Sequence, residues 1–263
     1  MPINQERSSS VLDRVLGSHG WIILAALATV VLSGLYLTTL TGNSLMMSDM
    51  MGSGGVGLAG RAGLLFVMWC SMMVAMMLPS AAPAILTYRT VSRNFAQKGA
   101  RVAPLWLFIM SYLVMWTAFS ALMVVLQLTA SNYIELTGMY AVASRVVGGV
   151  ILIAAGVYQF TPLKQSCRTQ CQTPLHYFAS HWQVGWRGGA LLGIRYGLYC
   201  LGCCWLLMGL LFYGGVMELN WIIGLAVYVA IEKFVPARYN IHLLVGAIMV
   251  LIGAWQVVAA WNA

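Results

Sequence analysis

Charge is what this sequence has least of. Only 8% of its 263 residues are Asp, Glu, Lys or Arg, and six are acidic, whereas a soluble domain carries about 25% charged residues. That scarcity excludes an ordinary soluble domain. Also missing are the alternating polar and apolar runs from which a membrane β-barrel is built. No block of Lys and Arg interleaved with aromatics offers a surface to nucleic acid. No pair of inverted halves is apparent, so the common transporter plan lacks support. No small-x-small cleavage pattern follows the first apolar run, which is therefore expected to be a retained span rather than a signal peptide.

What is present is 61% hydrophobic, in recurrent runs of about 20 residues, the length that crosses a bilayer as a helix. The expected fold class is all-α, a polytopic transmembrane helical bundle of about seven spans. They fall at Trp21–Leu40, Ala62–Leu86, Leu105–Thr129, Tyr140–Phe160, Gly189–Gly215, Trp221–Phe234 and Ile241–Trp261. The sixth is short for a full crossing. With the N-terminus in the cytoplasm, every one of the 14 Lys and Arg residues except Arg61 and Arg145 lies on or near the inner side, a strong positive-inside bias. The domain organisation that follows is a cytoplasmic tail over 1–20 and one helical domain over 21–263. That domain has an outer Met-rich loop at 41–61 and an inner Cys/His loop at 161–188. Tyr177, Phe178, Trp182 and Trp186 are expected to hold the inner loop at the membrane interface. Gly189, Gly193 and Gly197 form a small-residue stripe suited to close helix packing. Glu232, near an inner helix end, is expected to pair with Lys233 or Arg195.

The chemistry-bearing residues are sulfur donors. Met72, Met73, Met76 and Met77 share an arc of about 140° on a helix, at about 100° per residue. Methionine commonly fills packing gaps, but thioethers also select Cu(I). Met46, Met47, Met50 and Met51 repeat the residue type in a Gly-rich outer loop, where there is no core to fill. Of 17 methionines, nine lie between Met46 and Met77. Cys200, Cys203 and Cys204 fall within an arc of about 100° on one helix. They are either three small buried hydrophobes or a soft-metal or redox site. Cys167 and Cys171, at i and i+4, can meet one ion on a helical turn, with Lys164 and Arg168 near enough to favour thiolate.

The preferred functional reading is a soft-metal membrane protein, with Cu(I) the expected ion ahead of zinc or haem. It captures, transports or delivers the ion through outer Met, buried Met and Cys, and inner Cys sites. Its expected partners are the metal ion, the lipid bilayer and a metallochaperone or membrane copper enzyme; a second copy of the chain is also allowed. No catalytic residues are assigned. One alternative is a membrane thiol–disulfide oxidoreductase, on the Cys-x-x-Cys spacing of Cys200 and Cys203 with Cys167 and Cys171 as relay. Another is a haem protein using His176, His181 or His242 with a methionine.

Several segments together resemble an uncharacterised bacterial family of predicted metal-binding integral membrane proteins. The likeness runs through Trp69-x-x-Met72-Met73-x-Ala75-Met76-Met77-Leu-Pro79 and Tyr158-Gln-x-Thr161-Pro162-Leu-Lys164-x-x-Cys167-x-x-x-Cys171. It continues through Gly197-Leu-Tyr199-Cys200-x-Gly202-Cys203-Cys204-Trp205-x-Leu-Met208, Met217-x-Leu-x-Trp221 and Glu232-Lys233-x-x-Pro236. The resemblance implies metal binding and a place in the bacterial inner membrane. One departure stands out. The family often reads His-Gly before the tyrosine, where this chain has Tyr196-Gly197, so a ligand supplied there by histidine would be missing.

Overall fold

The structure, a computed structural model, describes residues 57–131, 144–216, 218–235 and 240–262. The first expected span, the N-terminal tail and Met46, Met47, Met50 and Met51 lie outside them. All regular structure among the described residues is helical: α1 (Leu58–Ser80), α2 (Ala82–Gln97), α3 (Leu105–Ala130), α4 (Arg145–Tyr158), α5 (Pro162–Gln172), α6 (Pro174–His181), α7 (Gly185–Gly209), α8 (Leu211–Gly214), α9 (Leu219–Phe234) and α10 (Ile241–Trp261). Four segments are long and apolar enough to cross a membrane: α1, α3, α7 with α8, and α10. A fifth is reached if α4 and α5, which meet at a bend of 66°, count as one broken span.

Prolines set several boundaries. Pro79 lies in the last turn of α1, where its missing N–H leaves the Ala75 carbonyl without a helical partner. The chain resumes in α2 with Pro83 in the first turn, the position at which a helix tolerates proline. Pro162 and Pro174 open α5 and α6 in the same way, and the Thr161 hydroxyl caps α5 by accepting from the Lys164 amide. The connection at 161–188 thus contains two helices, whose prolines start structure rather than interrupt it.

Small residues draw the long helices together. The stripe on α7 meets α3: a Cβ on Gly193 would lie 2.5 Å from the Phe108 carbonyl oxygen, and one on Gly197 would lie 2.8 Å from the Met115 side chain. A second seam, between α4 and α10, is the most extensive helix pairing among the described residues. There Gly149 faces Gly253 and Gly156 faces Gly246, each so close that an added Cβ would sit within 3.0 Å of the opposing backbone. Where lipid is the solvent, such close approach brings helices together through dispersion contacts.

Large apolar side chains face outward, and a few charged ones are buried within a largely apolar core. Trp106, Leu122, Leu244, Leu251 and Trp255 are exposed, whereas Lys164, Arg168, Glu232, Lys233 and His242 are buried. Apolar side chains on the outside, with the few buried charges held inside the bundle, are the arrangement that lipid surroundings favour. The expected Met face of α1 is buried as a whole, together with Trp69 and Ser80. Trp69 donates its indole N–H to Gln127 Oε1 at 2.7 Å, fixing α1 against α3.

Candidate metal centre

The site begins on α7. Cys200, Cys203 and Cys204 are all buried on one face of this helix, continuing the line of the glycine stripe. Because Gly197 lets α3 approach, the Tyr112 side chain reaches across, and its hydroxyl lies 3.3 Å from Cys200 Sγ and 3.2 Å from the Met77 carbonyl oxygen. The Cys203 and Cys204 thiols donate to the Cys200 carbonyl at 3.0 and 2.9 Å. Both are therefore turned along the helix axis.

The fourth thiol comes from α5. Gly202 leaves room for Cys167: a Cβ there would stand 2.7 Å from Cys167 Sγ. Tyr158 clips the same spot by donating to the Gly202 carbonyl. With α5 seated so closely, Cys171 one turn further on is buried in the same cluster as Cys200 and Cys203.

A cation completes the arrangement. Lys233, near the end of α9, places Nζ 2.9 Å from Cys200 Sγ and 2.8 Å from Ser80 Oγ. Ser80 in turn donates to the Met77 carbonyl at 2.9 Å and lies 4.0 Å from Met77 Sδ. Tyr112 of α3 and Lys233 of α9 thus meet at the buried Cys200 sulfur of α7, with Ser80 of α1 behind the lysine, and the Lys233 ammonium supplies the counter-charge that a thiolate there requires.

Beside the thiols is a charged layer that sequence reasoning missed. Glu232 pairs with Lys164, at 2.8 Å, not with Lys233 or Arg195. Consecutive helical positions diverge by about 100°, so Glu232 and Lys233 cannot serve the same neighbour. Arg168 Nη1 stands 2.6 Å from His242 Nδ1. Gln172 donates to the carbonyls of Glu232 and Val235, at 2.8 Å each. Lys164, Arg168 and Cys171 are the buried residues of α5 and follow one another at i, i+4 and i+7, so a single stripe of this short helix carries both charge and thiol.

The model of a family described as copper chaperone, PpoB2, matches residues 66–256. The chain belongs to this copper-chaperone family. No curated protein and no solved structure matches it. The matched region takes in every thiol of the cluster, Lys233, Tyr112 and the Met face of α1.

Set against a copper cargo, the donor chemistry of this copper-chaperone family member fits. Thiols and a thioether are soft donors suited to Cu(I), while the nitrogen and carboxylate groups nearby are engaged elsewhere. His242 faces Arg168, Glu232 faces Lys164, and His181 stacks on Tyr177 with ring centroids 5.0 Å apart. His176 is exposed. Of the expected sulfur residues, Cys171, Cys200, Cys203 and Cys204 come together, and Cys167 lies half-buried against Gly202. Met77 adjoins the group through Ser80. Met72, Met73 and Met76 are buried along the same face of α1, but no hydrogen bond among the described residues ties their sulfurs to the thiols. Among the described residues, no three His, Cys, Asp or Glu side chains already stand in ligand geometry. The thiols are gathered rather than aimed, because Cys203 and Cys204 point back to a carbonyl. All six cysteines are free.

The signal for the thiols was in the sequence, as helical spacing. Lys233 and Tyr112 carried none, since nothing in a sequence pairs α9 or α3 with the middle of α7.

Proposed function

We propose that this chain is a membrane-embedded copper chaperone that holds Cu(I) between the sulfurs of Cys171 and Cys200 and passes it to a copper-requiring partner. The observation that carries the reading is the buried Cys200 thiol of α7 at 2.9 Å from the Lys233 ammonium, with Cys171 of α5 buried in the same cluster. Cu(I) favours few, soft ligands, and two thiolates supply them. Met77, whose sulfur lies 4.0 Å from Ser80 Oγ, supports the ion as a weaker donor. Met72, Met73 and Met76 line the approach along α1, and Met46, Met47, Met50 and Met51 collect the ion at the outer face. Cys203 and Cys204 stand behind Cys200 as replacement donors. Cys167, half-buried and one turn from Cys171, is the exit ligand toward the cytoplasmic side.

In this reading the chain is a bundle of about seven spans with its N-terminus in the cytoplasm, set in the bacterial inner membrane. Its partners are a metallochaperone or a membrane copper enzyme.

The test is copper stoichiometry in the full chain purified in detergent from copper-replete cells. Expected are about one copper per parent chain, loss of copper in Cys171→Ser and Cys200→Ser, and affinity about tenfold weaker in Met77→Leu, as suits an auxiliary soft donor. Copper retained at parental level in Cys200→Ser sinks the assignment.

The burial of the free cysteines Cys171 and Cys200 in one cluster also favours a second reading, a thiol–disulfide exchanger. A reversible Cys171–Cys200 disulfide at physiological potentials, with no bound copper, would select it.

A further inference from the structure

We infer that Lys233 makes this site selective for a monovalent soft cation over a divalent one, by setting the charge that the buried pocket can hold. The inference rests on the copper reading above and adds what excludes competing ions. Softness alone does not exclude them, because thiolates also bind zinc.

The case is a count of charges in a dry enclosure. Cys200, Cys171, Tyr112, Ser80 and Lys233 are each no more than 8% exposed. Cys203 and Cys204 use their thiol protons on the Cys200 carbonyl, so they remain neutral. Tyr112 uses its hydroxyl proton on the Met77 carbonyl and is neutral as well. Lys164 and Glu232 cancel one another at 2.8 Å. Arg168 lies against His242 of α10 and is the same whatever the metal. What remains is two thiolates, one ammonium and the ion. A monovalent cation brings that set to zero. A divalent cation leaves one positive charge uncompensated in low-dielectric surroundings, which is heavily disfavoured. Without Lys233 the preference reverses, since two thiolates and a dication are neutral while two thiolates and a monocation are not.

The experiment uses Ag(I) as a redox-inert monovalent probe and Cd(II) as a soft divalent one, so that charge differs while softness is retained. Both are titrated into the full chain in detergent, with Cys171→Ser subtracted to isolate binding at this site. The parent is expected to bind Ag(I) and to show no Cd(II) binding there. Lys233→Met is expected to bind Ag(I) about 100-fold more weakly, as for loss of one partner of a buried charge pair, and to gain Cd(II) binding. Lys233→Arg, which keeps the charge, is expected to keep the parent's preference.

A parent that binds both ions tightly at this site overturns the inference while leaving the copper reading intact. So does an unchanged preference in Lys233→Met. A parent that binds no Ag(I) overturns the copper reading and the inference with it. If Lys233→Met does not fold, the parent's Cd(II) titration decides.

Discussion

The ammonium of Lys233 lies 2.9 Å from the sulfur of Cys200 across 33 residues of sequence. Its neighbour Glu232 turns to a different helix and neutralises Lys164. Two adjacent residues at the end of α9 thus serve two sites: one is part of the sulfur cluster, the other of the charged layer that seats α5. Perturbing one is expected to be separable from perturbing the other.

Glu232→Gln leaves Lys164 buried without its carboxylate. A broken buried pair costs about 3–5 kcal/mol. Thermal unfolding in detergent is expected to show a loss of that order. The double variant Glu232→Leu with Lys164→Met should regain most of it, because replacing both partners removes the stranded charge. A double variant as unstable as the single one would show that the pair itself, rather than the orphaned charge, holds α5.

Thiol accessibility tests the burial of the cluster. Cys70 and Cys167 are half-buried, whereas Cys171, Cys200, Cys203 and Cys204 are buried. N-ethylmaleimide on the native protein, read by mass spectrometry, is expected to modify the first two and reach the other four only after unfolding. Native labelling of Cys200 at the rate of Cys70 would contradict the enclosed site.

The glycine seam between α4 and α10 gives a steric prediction. A Cβ at Gly253 would stand 2.6 Å from the Gly149 carbonyl oxygen, whereas one at Gly224 on α9 meets nothing within 4 Å. Gly253→Ala is expected to destabilise by about 1–3 kcal/mol through overpacking. Gly224→Ala should be neutral or stabilising by up to about 1 kcal/mol, since alanine favours helix. Equal melting temperatures for the two variants would argue against the seam.

Gln127→Leu removes the acceptor of the Trp69 indole and leaves a buried donor unpaired, at a cost of about 1–3 kcal/mol. Trp69→Phe in the same background should restore part of the loss, because it removes the orphaned group. The check is a double-mutant cycle by thermal unfolding.

The long helices and the sulfur faces were legible in the sequence, because both are periodic. Met72 through Met77 and Cys200 through Cys204 reveal their common sides by spacing alone, as does the stripe from Gly189 to Gly197. The seam at Gly149, Gly156, Gly246 and Gly253 has the same kind of signal, at seven-residue spacing, and was readable but not read. The charged layer was not readable. Near helix ends, Lys164, Arg168 and Lys233 look like markers of topology, and nothing local says that Lys164 seeks a carboxylate 68 positions away. The helices within 161–188 were obscured because Pro162 and Pro174 signal a loop as readily as a helix start.

The bend of 66° between α4 and α5 has a mechanical consequence. It frees α5 from the direction of α4 and lays one stripe of it against three neighbours: Lys164 on Glu232 of α9, Arg168 on His242 of α10, and Cys171 buried beside α7. These contacts act as three pins of one latch. Cys171 cannot swing away from α7 on a moving α5 without the carboxylate and the imidazole losing their cations in the same stroke.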